Sequence, residues 1–303
     1  MPEFKNVRFK QVDVFTSTPF KGNPLAVVFE ADGMTSVQMQ AIASWTNLSE
    51  TVFLSRATDP EADYRARIFT PVTELPFAGH PTLGAAHALL ESGYQPKRPG
   101  RLVQQCGAGL IELESQSNGD WAFSVSEADV TPLSPTEYDA LALALNSDQV
   151  DFSAMPCAVN NGASWLVIRM NSAQACLEVQ PERLEIARLT RRVHAHGIAL
   201  YGPHEADGPA TFEMRCLLTG EHGGQGGLLE DPVTGSANAA VAGLLAAMGK
   251  APGTHYTVRQ GTLLGRNGNV SVRYEKNSPK IWIGGPVITI IDGTFRRPQA
   301  PLA

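Results

Sequence analysis

Two seven-residue segments of this chain share three residue types in the same places. Glu74-Leu75-Pro76-Phe77-Ala78-Gly79-His80 and Glu230-Asp231-Pro232-Val233-Thr234-Gly235-Ser236 carry Glu, Pro and Gly at a constant offset of 156 residues. Each ends in a glycine turn that opens an apolar helix. The first backbone N–H groups of a helix have no partner inside it and lie at the positive end of its dipole, so each turn is a ready anion site. Two such turns facing one cleft about a pseudo-twofold axis would seat a small carboxylate. They would also stabilise the enolate-like charge left when a proton is taken from carbon. His80 and Asp231 lie within the junctions, where titratable groups often have displaced pKa values, and Ser236 is of the type that caps helices. Glu50, in Asn47-Leu48-Ser49-Glu50-Thr51-Val52-Phe53, stands where a helix gives way to an apolar strand. A carboxyl beside apolar neighbours has a raised pKa, as a general acid/base needs. Each residue also has a plain structural reading: glycine turns join elements, His and Asp cap or satisfy a core, and a loop Glu faces solvent.

The elements that must position these groups are short. Val12–Phe15, Leu25–Phe29, Thr51–Leu54 and Tyr64–Phe69 read as strands, the first two separated by the turn Pro19-Phe20-Lys21-Gly22-Asn23-Pro24. Further strands are expected at Leu110–Leu113, Trp121–Val125, Trp165–Met170, Phe212–Leu218, Val270–Tyr274 and Val287–Ile291. Helical spacing marks Ser36–Trp45, Thr136–Leu145 and Pro181–His194. The helices after the two glycine turns, Pro81–Glu91 and Ser236–Met248, are apolar on nearly every side, which is the pattern of a buried helix. One such helix in each half, behind matching motifs, indicates a duplication. The expected fold is α+β, with two related domains that each wrap an antiparallel sheet around a central helix. The boundaries fall at 1–130, completed by a strand near 286–295, and 131–285. Val130–Pro135 reads as the linker and Arg296–Ala303 as a loose tail.

Composition narrows the function. The 303 residues are 43% hydrophobic and 18% charged, with 24 basic and 30 acidic side chains and a net charge of −6. That balance argues against a nucleic-acid backbone as partner. No apolar run reaches the ~18 residues of a membrane span, so a cytoplasmic protein without membrane partners is expected. Cys106, Cys157, Cys176 and Cys216 are scattered without CxxC spacing and read as free thiols. His194, His196, His204 and His222 lack the spacing of a metal site, and Gly220–Gly227 matches no nucleotide-binding loop. No GxSxG elbow surrounds Ser236.

At these residues the sequence resembles the PhzF family, the phenazine-biosynthesis-type isomerases with the diaminopimelate epimerase fold. The resemblance rests on Val12-Asp13-Val14-Phe15-Thr16, Pro19-Phe20-Lys21-Gly22-Asn23-Pro24, Leu48-Ser49-Glu50-Thr51 and Arg67-Ile68-Phe69-Thr70-Pro71. It continues through both glycine-turn motifs to Gln260-Gly261 and Gly265-Arg266-Asn267-Gly268, and so spans nearly the whole chain. It implies an active site between the two domains, with Glu50 as the general acid/base that moves a proton between substrate carbons. It further implies that His80 and Asp231 hold or protonate the substrate while Gly79, Gly235 and Ser236 supply donors. No metal or organic cofactor is implied; the partners implied are a small carboxylate substrate and a second copy in a homodimer.

Related epimerases place one cysteine in each helix-start motif, and neither motif here has one, which disfavours a two-thiol racemase. The expectation is therefore a cofactor-independent isomerase acting on a small cyclic or amino-acid-like carboxylate. An epimerase, or a non-catalytic binding protein of the same fold, is the alternative. The chain departs from the family before the second motif, where Arg215-Cys216-Leu217-Leu218-Thr219 lacks the usual Phe and Pro and Glu221–Gly227 lengthens the link. This leaves room for a substrate other than dihydro-hydroxyanthranilate.

Overall fold

Strand pairing repeats itself along the chain. The computed structural model describes residues 4–125, 128–220 and 227–298. The chain divides into two compact units, Met1–Ser124 with Gly284–Ala303, and Val125–Ile283. In the first, the sheet runs Val287–Pro298, Phe4–Val14, Asn23–Val28, Glu50–Ser55, Tyr64–Phe69, Arg101–Cys106, Gly109–Ser115. In the second it runs Asp129–Pro132, Cys157–Asn160, Ser164–Arg169, Gly197–Pro203, Phe212–Thr219, His255–Gln260, Gly268–Tyr274. The successive pairings are the same in both: antiparallel, antiparallel, parallel, antiparallel, parallel, antiparallel. Each unit is therefore a mainly antiparallel sheet with two parallel pairings, and the duplication extends to its topology.

A parallel pairing needs a long crossover, and helices supply all of them. Ser36–Thr46 joins Asn23–Val28 to Glu50–Ser55, and Ala173–Glu178 with Arg183–Arg192 does the same in the second unit. The two apolar helices, Gly79–Glu91 and Gly235–Ala247, are the other crossovers. Both are buried on nearly every side, with Leu83, Ala85, Ala86 and Ala88 in one and Ala237, Ala239, Ala240, Val241, Leu244 and Leu245 in the other. Small side chains let the sheets close around them. At Gly84 a Cβ would fall 2.5 Å from Leu25 Cδ2, so the helix sits against the strand only as glycine.

Two expectations change. Val130–Pro132 is not linker but part of a strand paired with Cys157–Val159, and its proline stands at the strand end where no ladder donor is needed. Arg296 and Arg297 are not a loose tail: they extend the Val287–Pro298 strand, pairing with Asn6 and Lys5. Among the described residues no helix is long and apolar enough to cross a membrane.

Candidate active site

The Ser36–Thr46 helix starts in a capping box, Thr35 with Gln38, and stops at Asn47, whose φ of 56° suits a residue that tolerates the left-handed region. Three residues later Glu50 begins the next strand, and its carboxylate lies 3.3 Å from His80 Nε2. Both side chains are largely buried, 16% and 6% exposed. His80 is the second residue of the Gly79–Glu91 helix, which begins at Gly79 with no side-chain cap at Ala78. Burial pushes the imidazole pKa down to about 3, so the ring is neutral at physiological pH.

The other ring nitrogen, Nδ1, faces Asn23 Nδ2 at 3.4 Å. An amide nitrogen can only donate, so Nδ1 is assigned as the acceptor and the ring proton to Nε2, the nitrogen 3.3 Å from the Glu50 carboxylate. Asn23 is fully buried at the start of its strand. Its approach is fixed one residue earlier, where Gly22 N donates to Asp13 Oδ2 at 3.1 Å. A Cβ on Gly22 would fall 2.2 Å from Val14 O. The turn-forming Lys21-Gly22-Asn23 thus has a second task that its sequence did not announce.

In the second unit Asp231 is buried and accepts a hydrogen bond from Thr234 Oγ1 at 2.5 Å. Thr234 is the N-cap of the Gly235–Ala247 helix, but its hydroxyl is committed to Asp231 and does not cap. Ser236, of capping type, is the second helical residue; its Oγ accepts from Trp165 Nε1 at 3.2 Å, and the capping position falls to Thr234 because the helix begins at Gly235. Gln260 closes the turn by bonding the Thr234 amide, the Thr234 hydroxyl and the Asp231 carbonyl. Both helices therefore begin at Gly79 and Gly235 without a side-chain cap, which leaves their first N–H groups oriented for an anion.

The glutamates shared by the two motifs serve structure. Arg67 holds Glu74 through two bonds, Nε to Oε1 at 2.7 Å and Nη2 to Oε2 at 2.5 Å. Arg215 holds Glu230 in the same way at 3.1 and 2.9 Å, and also donates to Val179 O at 2.8 Å. These bidentate pairs anchor the chain just before each glycine turn.

All four cysteines are free. Burial pushes each thiol up, most of all Cys216 and Cys176, so none is primed as a thiolate base. Cys216 pairs across the sheet with Asp231, closer to the second motif than its place in the sequence suggested. Among the described residues no group of three or more His, Cys, Asp or Glu could hold a metal ion. Most of the Gly220–Gly227 loop, His222 included, lies outside the described residues.

A family model described as "Phenazine biosynthesis-like protein" matches residues 12–293. Antisense-enhancing sequence 1 of Schizosaccharomyces pombe is 36% identical over 299 residues, covering 94% of this chain and 97% of that protein. The trans-2,3-dihydro-3-hydroxyanthranilate isomerase of Pseudomonas chlororaphis is 31% identical over 289 residues, covering 94% and 97%. The crystal structure of the Bacillus anthracis phenazine biosynthesis protein of the PhzF family shares the fold, with a TM-score of 0.81 over 96% of this chain and 99% of that one at 24% identity.

Proposed function

This chain belongs to the phenazine biosynthesis-like (PhzF) family, a family of isomerases, and we propose that it moves a proton between two carbons of a small carboxylate with Glu50 as general acid/base. The observation that carries this reading is the Glu50–His80 pair. It sets a carboxylate and a neutral imidazole 3.3 Å apart in a largely water-free setting. Glu50 takes the proton from carbon; the C–H electron pair moves into a conjugated double bond, and the same carboxyl returns the proton at the far end of that system. The net change is one proton and one double bond displaced. His80, a neutral ring 3.3 Å from the Glu50 carboxylate, holds or protonates the substrate beside it. Asp231 and the N–H groups at Gly79, Gly235 and Ser236 bind and orient the substrate, the N–H groups also sharing the negative charge that develops.

The P. chlororaphis relative's name supplies the first substrate to try, trans-2,3-dihydro-3-hydroxyanthranilate, with a panel of small cyclic and amino-acid carboxylates beside it. The purified protein is incubated with each in D₂O, and deuterium is located by NMR and mass spectrometry. Uptake at a new carbon, falling roughly a hundredfold or more in Glu50→Gln, is the expected result. Undiminished uptake in Glu50→Gln overturns it, and inversion at a single carbon replaces it with an epimerase.

A further inference from the structure

The two halves keep a glutamine at the same place in the repeat, Gln104 and Gln260, 156 residues apart like the glycine turns themselves. Each is fully buried and faces its central helix at equivalent positions, Thr82 in one half and Asn238 in the other. Beyond that their duties diverge. Gln104 donates to Thr82 Oγ1 at 2.9 Å and accepts from Tyr64 OH at 3.1 Å, and none of these groups belongs to the glycine-turn motif.

Gln260 is bound into the second motif through every polar valence it has. Its Oε1 accepts from Thr234 N at 3.0 Å and Asn238 Nδ2 at 3.2 Å. Its Nε2 donates to Thr234 Oγ1 at 2.9 Å and Asp231 O at 3.1 Å. Thr234 Oγ1 in turn donates to Asp231 Oδ2 at 2.5 Å. The donors therefore run in one direction, from Gln260 through Thr234 to the Asp231 carboxylate, and each bond polarises the next. Holding helix to strand needs one bond, as Gln104 shows. The other half builds four, three of them on the residues that flank the uncapped helix start.

We infer that Gln260 is a positioning residue: it orients the Thr234 hydroxyl onto Asp231 and keeps the start of the Gly235–Ala247 helix open for substrate. This rests on the isomerase reading above for its effect on turnover. It acts by committing Thr234 twice. The amide is satisfied by Gln260, and the hydroxyl is turned to Asp231 rather than to the N–H groups it would otherwise cap. The titratable groups facing this turn are Asp231 itself, the Cys216 thiol of the adjoining strand, which burial pushes up, and Glu230, which Arg215 holds. The central helix contributes the uncharged Asn238.

Four variants test this: Gln260→Leu and Gln260→Glu, with Gln104→Leu and Gln104→Glu as matched controls at the equivalent strut. Gln260→Leu should lower kcat for deuterium exchange roughly tenfold or more, whereas Gln104→Leu should cost stability alone. Gln260→Glu places a second carboxylate beside Asp231 at neutral pH; protonation restores a neutral, near-isosteric strut, so its activity should recover as pH falls. The isosteric variant keeps the test open if Gln260→Leu does not fold. A readout that needs no turnover is the ¹³C carboxyl titration of Asp231, which should move upward in both Gln260 variants and stay put in both Gln104 variants. An unmoved Asp231 titration overturns the inference, as does a Gln260→Glu pH profile like that of Gln104→Glu. Failure of the isomerase reading would show separately, as wild-type exchange that does not depend on Glu50.

Discussion

The Asn23 carboxamide and the His80 imidazole meet at 3.4 Å, and that contact decides which ring nitrogen carries the proton. Because Asn23 donates to Nδ1, the proton is assigned to Nε2, the nitrogen 3.3 Å from the Glu50 carboxylate. Asn23→Asp should reverse this. A carboxylate at that place draws the proton to Nδ1 and leaves a lone pair against Glu50, and turnover should fall roughly tenfold or more. ¹⁵N NMR of the His80 ring reads the tautomer directly; an unchanged tautomer would show that Asn23 does not set it.

Burial pushes His80 down to about 3 from its ordinary 6.5, which has a consequence for stability against pH. In the unfolded chain the ring takes up a proton near 6.5, and in the folded chain only near 3. As pH falls through that interval the unfolded state gains a proton that the folded state refuses, so stability is lost. Full stability from this group is present above pH 6.5. The loss across the window is on the order of a few kcal/mol, at roughly 1.4 kcal/mol per pKa unit. Urea midpoints between pH 7 and 4 should fall steeply in the wild type and less steeply in His80→Gln; parallel slopes would contradict the neutral, buried ring.

What the sequence disclosed and what it hid have a common physical basis. Both central helices were legible because an all-round apolar pattern has one meaning, and the structure confirms their burial. Several strands were not, and three of them show why. Gly197–Pro203 is buried along almost all its length and so shows no alternation. Arg101–Cys106 and His255–Gln260 do alternate, with Leu102 and Gln104, and Tyr256, Val258 and Gln260, turned inward. A buried glutamine breaks the apolar rhythm in each, and the residue that hides the strand is the one that braces the helix beside it. Asn23 was read as part of a turn, since an Asn beside Gly and Pro needs no other explanation. The bidentate Arg–Glu pairs escaped because both glutamates had been noticed as motif and neither as partner, the two arginines lying 148 residues apart and the two glutamates 156.

Those Arg–Glu pairs should differ in strength. Arg215 is 5% exposed, with two carboxylate oxygens and the Val179 carbonyl as acceptors, whereas Arg67 is 20% exposed. Arg215→Met strands Glu230 in a nearly dry site and should cost roughly 3–5 kcal/mol. Arg67→Met leaves Glu74 within reach of water and should cost no more than about 1 kcal/mol. Equal losses in denaturant unfolding would mean that burial does not separate the two halves of the repeat.

Gly84 is one helical turn beyond His80 and tests how closely packing sets the site. A Cβ there would come within 2.5 Å of Leu25 Cδ2, 3.0 Å of Val12 Cγ2 and 3.1 Å of Val14 Cγ2, all fully buried. Gly84→Ala gains up to about 1 kcal/mol of helix propensity but overpacks the seam at a cost of about 1–3 kcal/mol, so a net loss is expected. The strand it presses on is the one that carries Asn23, and the helix it belongs to carries His80. Separating the two lengthens a contact already at 3.4 Å, and activity should fall with stability. Leu25→Ala trims the group that is struck first. The double variant should then regain part of the exchange activity that Gly84→Ala loses, even though Leu25→Ala alone opens a cavity and is destabilising. Simple additivity of the two losses would place the strain somewhere other than between Gly84 and Leu25.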